Sequence, residues 1–189
     1  KVIDRIGFIA LMSLGEGKKK VLPHENTLLA PKLDRLDLMR KVKANLSPIF
    51  IVSRDNKRII QRVYERYVKN TPVFMEAVDN EKTVHKIWRI DSGEVINIIE
   101  TGMLKEDAFI ADGHHRYEVS CAWRNEMKNK LGDKFCRDST FNYTLAYFTN
   151  SDRRGLSILP IHRLLSLEKG LDLGEFILRL KEYFDVEEF

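Results

Sequence analysis

A short apolar strand that runs directly into a polar turn and a long helix is the feature that most constrains this fold. Residues 108–111 are apolar, Asp112-Gly113-His114-His115-Arg116 follow at once, and a helical pattern continues from about residue 115 to 131. Strands and helices that alternate along a chain pack as layers, with the helices covering the sheet. The sequence therefore predicts an α/β (α+β) fold, a mixed β-sheet with flanking helices.

Hydrophobic periodicity predicts the other elements. Strands are expected at 6–14, 49–52, 143–148 and 156–159, a hairpin at 73–78 and 84–90, and helices at 31–46, 59–68, 94–103 and 173–183. The first strand is almost continuously apolar, which is typical of a strand covered on both faces. The first helix is expected to bury one stripe, made of Leu33, Leu36, Met39, Val42 and Leu46.

Length and composition indicate one ordinary domain. A compact chain of 189 residues buries about 70% of its unfolded surface, so we expect a single α/β domain over residues 1–189. No apolar run approaches the roughly 18 residues that a membrane span requires. Cys121 and Cys136 lack the spacing of a metal-ligand pair and are too few for a disulfide framework, which favours reduced thiols and a cytoplasmic location.

The charge is unevenly distributed. The net charge is +4, but residues 1–70 hold sixteen Lys and Arg against seven Asp and Glu. Because these cations are spread over several elements and do not form one basic arm, a small molecule that carries phosphate is as plausible a partner as nucleic acid.

The segment from Asp112 to Glu118 carries the sharpest chemical signal. The start of a helix leaves backbone N–H groups unpaired and bears a partial positive charge, so it receives an anion well. Gly113 allows a close backbone approach, and Arg116 adds a guanidinium that can bind phosphate in a bidentate manner. The Asp112 carboxylate could hold Mg²⁺ against nucleotide oxygens. These residues predict a phosphate cradle.

Five segments in order resemble a widespread prokaryotic family of unknown function whose members are longer at both ends, which implies that this chain is a fragment. The matching stretches are Pro23-His24-Glu25-Asn26-Thr27, Pro31-Lys32-Leu33-Asp34-Arg35-Leu36, Asn45-Leu46-Ser47-Pro48-Ile49-Phe50, Ile110-Ala111-Asp112-Gly113-His114-His115-Arg116-Tyr117-Glu118 and Leu159-Pro160-Ile161-His162-Arg163.

The Asp-Gly-His-His-Arg stretch is also similar to that of free-serine kinases in the ParB and sulfiredoxin-like superfamily, where it closes on nucleotide phosphates at a helix start. This resemblance implies a ParB/sulfiredoxin-like core around the strand–turn–helix unit. It further implies a phosphotransferase that acts on a small hydroxyl compound such as free serine, with ATP or ADP as donor and Mg²⁺ as cofactor. In those kinases a glutamate upstream of the motif is the general base, and Glu25 is the best-placed match.

The residues expected to carry this function fall into three groups. The catalytic candidates are Glu25, Asp112, His114 and His115, with Asp112 also the Mg²⁺ candidate. The phosphate or nucleotide candidates are Gly113, Arg116, Lys32, Arg35, His162 and Arg163. His24 and Thr27 are the substrate candidates.

Two other functions remain open at this stage. The first is a nucleotide-binding DNA clamp or regulatory module of the ParB type, which the absence of a helix-turn-helix pattern or a basic arm disfavours. The second is a metal-dependent hydrolase that uses His24, His114, His115, His162 and Asp112. Its weakness is that no His-x₃-His ligand pair lies on one helix.

Overall fold

The structure is a computed structural model that describes residues 4–14, 21–151, 156 and 172–187. Its contacts divide the chain into two compact units, Lys1–Leu156 and Ser157–Phe189. The single domain expected over residues 1–189 stays a prediction. None of the described helices is both long enough and apolar enough to cross a membrane.

The described elements of the first unit confirm most of the predicted ones. The strands are β1 (Gly7–Ser13), β2 (Val21–Leu22), β3 (Ile49–Ser53), β4 (Met75–Val78), β5 (Val84–Ile87), β6 (Ala108–Asp112) and β7 (Tyr143–Asn150). The helices are α1 (Leu29–Val42), α2 (Ile59–Val63, continued by a π-helical turn, Tyr64–Val68), α3 (Gly93–Met103) and α4 (His114–Leu131).

Five of these strands form one mixed sheet in the order β1-β7-β3-β6-β2. β1 pairs with β7 and β6 pairs with β3 in antiparallel register, whereas β3 with β7 and β2 with β6 are parallel. Strands β4 and β5 form a separate two-stranded antiparallel sheet. The predicted mixed α/β architecture is therefore confirmed.

The core of the sheet lies on its three central strands. Ile49 and Ile51 of β3, Ala108 and Ile110 of β6 and Ala146 of β7 are all at most 1% exposed. Residues two apart on a strand point to the same face, so these strands present one continuous apolar layer. That layer fixes the position of β6, whose last residue leads into α4.

Strand β1 corrects one sequence expectation. It pairs only with β7 and lies at the edge of the sheet, and Ile9 and Leu11 are 54% and 65% exposed. Met12 packs into the core, with Phe8 and Ala10 against it. The prediction that both faces of this strand are covered is wrong, because an apolar run does not reveal that the strand lies at the edge of the sheet with Ile9 and Leu11 exposed.

Helix α1 also differs from what the sequence predicts. It ends at Val42, where Lys43 adopts a left-handed conformation with φ of 53°, and Leu36 is its only buried residue. Leu33 is 53% exposed and Leu46 lies beyond the helix. The predicted buried stripe is therefore wrong; besides Leu36, the described contacts of α1 with α4 include the ion pairs Lys32–Glu118 and Arg40–Glu126.

Local signals explain the remaining elements. The Ser92 side chain caps α3 by accepting a hydrogen bond from the Val95 amide, and Val95 packs with α2 and its π-helical continuation in a second small core. In the second unit, α5 (Leu173–Leu180) is capped by the Asp172 carboxylate, which accepts from the Glu175 amide at 3.1 Å. The strand predicted at 156–159 lies outside the described residues.

The core assignment predicts a difference between two apolar truncations. Ile51→Ala should lower the free energy of unfolding by about 2–5 kcal/mol, because it leaves a cavity in the central strand. Leu11→Ala, on the open face of β1, should cost less than about 0.5 kcal/mol. Urea unfolding of both variants measures this difference, and an equal loss would contradict the described core.

Candidate functional site

The candidate site begins at the turn between β6 and α4. Asp112, the last residue of β6, pairs with Phe50 of β3, and Gly113 then turns the chain with φ of 94°. A Cβ atom at Gly113 would lie 2.9 Å from Nε and 3.0 Å from Nη2 of Arg116. The positive φ favours glycine here, and a Cβ atom would force the Arg116 guanidinium to move.

The first turn of α4 presents unpaired backbone amides. Its first backbone hydrogen bond runs from the Tyr117 amide to the Gly113 carbonyl, at 3.0 Å. Within the part of the chain that the structure describes, no hydrogen bond is formed by the amides of His114, His115 and Arg116. These three N–H groups lie at the positive end of an 18-residue helix.

The Arg116 guanidinium is held across the glycine turn. Its Nη1 donates to Ser47 Oγ at 2.8 Å and to the Pro48 carbonyl, and its Nη2 donates to Asp112 Oδ2 at 2.5 Å. A guanidinium has five N–H groups. Nε–H and one Nη2–H therefore remain without a partner among the described residues.

Both histidines of the turn bind the backbone of a distant loop. His114 Nε2 accepts the His24 amide at 3.3 Å, and His115 Nε2 accepts the Leu28 amide at 3.2 Å. A ring nitrogen that accepts carries no proton, so each neutral ring has its proton on Nδ1. We call these two bonds the histidine strap; they hold residues 24–28 against the start of α4.

Glu118 ties the same loop one turn further along the helix. Its Oε2 accepts the Thr27 hydroxyl at 2.7 Å and the Lys32 ammonium at 2.6 Å. These hydrogen bonds, with that of Lys32 the stronger, hold the pKa of Glu118 below its usual range. Sequence reasoning gave Glu118 no role, although its position four residues after His114 places it on the same helix face.

Glu25 lies at the exposed end of this strapped loop. Its carboxylate is 59% exposed, and its Oε2 lies 3.6 Å from Nδ1 of His114, whose side chain is only 4% exposed. Burial, followed by the nearby ring of His24, lowers the pKa of His114, so this imidazole stays neutral. His24 is itself fixed by a 2.8 Å hydrogen bond between its Nδ1 and the Ile110 carbonyl.

The structure thus brings most of the predicted site residues together around the β6–α4 turn. Those gathered there are His24, Glu25, Thr27, Lys32, Asp112, Gly113, His114, His115 and Arg116. Arg35 is exposed and forms no hydrogen bond or ion pair with the described residues. His162 and Arg163 lie outside the described residues.

Of the ligand set expected for a hydrolase, the structure places two members, His24 and His114, side by side. His24 and His114 are adjacent, with ring centroids 4.5 Å apart, but Asp112 pairs with Arg116 and His115 Nε2 is taken by the Leu28 amide. His162, the remaining expected ligand, lies outside the described residues. The neighbour that the structure adds to the two histidines is Glu25.

The fold and this turn define a mixed α/β protein in which a glycine turn leads into an open helix N-terminus. The chain belongs to the family described as protein of unknown function (DUF1015), whose model matches residues 2–189. No curated protein and no solved structure matches the chain.

The anchoring role of Glu118 predicts a local change in dynamics. In Glu118→Gln, the loss of the charged contact should weaken the loop attachment by about 1 kcal/mol, so the His24 and Leu28 amides should exchange with solvent roughly fivefold faster. Glu126→Gln is the matched control, since Glu126 also joins α4 to α1, through Arg40, but does not contact the loop. Hydrogen exchange that is equal in the two variants would contradict this role.

The buried neutral imidazole of His114 predicts a pH dependence of stability. Its pKa is lower in the folded chain than the ordinary 6.5, so the unfolded chain binds the proton first as the pH falls. The free energy of unfolding should therefore decrease as the pH falls below about 6.5, until folded His114 is also protonated. The dependence of the unfolding free energy on pH, measured by urea unfolding at several pH values, should be shallower for His114→Gln than for the wild type. A pH dependence equal to that of the wild type would refute the assignment.

Proposed function

We propose that this protein is a nucleotide-dependent phosphotransferase that transfers phosphate to a small hydroxyl compound such as free serine. The observation that carries the proposal is that, among the described residues, the amides of His114, His115 and Arg116 and two N–H groups of the Arg116 guanidinium have no hydrogen-bond partner. Helix N-termini of this kind bind phosphate through directed N–H groups and the helix dipole. ATP or ADP is the proposed donor.

Charge around the turn supports a metal-bound nucleotide over a free anion. Arg116 is paired with Asp112 and Lys32 with Glu118, so the two cations are already partly neutralised. Asp112 Oδ2 faces Arg116, whereas its Oδ1 has no partner among the described residues. That oxygen, together with nucleotide oxygens, would hold Mg²⁺, which would neutralise charge on the transferred phosphate.

Glu25 is the proposed general base. The histidine strap holds its loop beside the first turn of α4, and its carboxylate lies 3.6 Å from Nδ1 of His114. Glu25 takes the proton of the substrate hydroxyl, whose oxygen forms the new bond to phosphorus. The bond from phosphorus to the nucleotide oxygen breaks, and the shortened nucleotide leaves. Such a base contributes about 10²–10⁴ in rate, while positioning contributes most of the remainder.

The proposal extends to fold family and location. A ParB/sulfiredoxin-like core is supported by the strand, glycine turn and helix at the centre of a mixed sheet. A cytoplasmic location is supported by the free thiols, since Cys136 is exposed and burial raises the pKa of Cys121, which leaves that thiol unreactive.

Glu25→Gln separates catalysis from binding. This variant should lose about 10²–10⁴ in phosphotransfer rate, because the amide cannot accept the substrate proton, while its affinity for ATP stays that of the wild type. Isothermal titration with ATP, ADP and CTP, with and without Mg²⁺, measures affinity, and a coupled assay with serine measures turnover. Glu81→Gln, in the exposed hairpin loop, is the matched control.

Two results would contradict the proposal. Absence of binding for every nucleotide would exclude the phosphotransferase. A fall in ATP affinity in Glu25→Gln, with residual turnover preserved at saturation, would remove Glu25 from the role of base.

A further inference from the structure

Two imidazoles and one carboxylate converge at the end of β6. His24, Glu25 and His114 each offer one ligand atom within 4.8 Å of the ligand atoms of the other two. His114 lies at the buried side of this cluster, whereas His24 and Glu25 are exposed to solvent. The cluster therefore has a rigid inner side and an open outer side.

A hydrogen bond to the backbone fixes the His24 ring in the manner typical of histidines that bind metal ions. Its Nδ1–H donates to the Ile110 carbonyl at 2.8 Å, which leaves Nε2 with a free lone pair. Histidines that bind metals almost always donate their other ring N–H to a carbonyl or carboxylate, which fixes the tautomer and the ring. The His24 ring stands nearly perpendicular to that of His114, at 84°.

His114 can ligate through Nδ1, the nitrogen that faces Glu25. Nδ1 carries the ring proton while Nε2 accepts the His24 amide. Ligation at Nδ1 moves that proton to Nε2, so no charge is gained or lost on the ring. The bond given up is the 3.3 Å half of the histidine strap, so in the metal-bound state residues 24–28 are held by the His115–Leu28 bond and by the Thr27–Glu118 bond.

Ligand chemistry selects the class of ion. Two imidazole nitrogens and one carboxylate oxygen suit zinc and its neighbours cobalt and nickel, whereas magnesium and calcium prefer oxygen alone. This donor set also leaves a fourth, open position for water. Bonds of roughly 2 Å require the three ligands to draw closer than they now lie, and the exposed side chain of Glu25 is free to make this movement.

We propose that His24, Glu25 and His114 bind one divalent transition-metal ion of the zinc type. This inference goes beyond the proposed phosphotransfer and does not depend on it. If the protein both binds this metal ion and transfers phosphate, the two activities compete. A metal ion on the Glu25 carboxylate occupies the electron pair that Glu25 needs to act as the general base. Zn²⁺ then inhibits turnover without displacing the nucleotide phosphates from the α4 amides.

The test is a titration of the chelator-treated full chain with Co²⁺, followed by visible absorption, and with Zn²⁺, followed by calorimetry. No nucleotide is present, so the result is independent of phosphotransfer. One ion should bind per chain, with the absorption of a four- or five-coordinate cobalt site. Glu25→Gln should weaken binding by at least about tenfold, since loss of even an outer partner costs that much.

His24→Asn is the sharper variant, because the asparagine amide keeps a donor for the Ile110 carbonyl and removes only the Nε2 ligand. It too should lose at least about tenfold in affinity. His85→Gln, on the exposed strand β5 away from the cluster, should bind as the wild type does. Cys136→Ser controls for the exposed thiol. Wild-type affinity in His24→Asn and Glu25→Gln, or loss of binding in Cys136→Ser, would overturn the proposal.

Discussion

The arrangement depends on two hydrogen bonds that histidine rings accept from the backbone of a loop about 90 residues earlier in the chain. His114 and His115 begin α4, yet their Nε2 atoms bind the amides of His24 and Leu28. The helix start therefore fixes two things at once, its own open amides and the loop that carries Glu25. Because both bonds need an unprotonated nitrogen, the arrangement requires neutral rings, which burial favours at His114.

Much of the fold could be predicted from the sequence, since the relevant signals are local. The apolar run ending at Asp112, the glycine after it and the cap at Ser92 each define a boundary within a few residues. The predictions that were wrong concern which side chains of β1 and α1 are buried. The apolar runs around Leu11 and Leu33 gave no sign that β1 is an edge strand or that α1 faces α4 with charged side chains.

The sequence predicted which residues form the candidate site but not which hydrogen-bond partners they have. Adjacent histidines beside an arginine indicate chemistry, and the residues named from the motif do gather at one turn. Their bonding partners come from distant segments: Ser47 and Pro48 hold Arg116, and Thr27 reaches Glu118. Such pairings depend on how the sheet orders its strands, which periodicity does not encode. The sequence suggested a catalytic role for His114 and His115. The structure shows that both rings also accept hydrogen bonds from the backbone of the loop at residues 24–28.

The most direct test of the central claim is an NMR titration of the ¹⁵N-labelled full chain with ATP and Mg²⁺. If the start of α4 receives phosphate, the largest amide shift changes fall on residues 114 to 116, and the Arg116 Nε–H signal moves with them. Saturating nucleotide that leaves these signals in place and perturbs another surface would contradict the account.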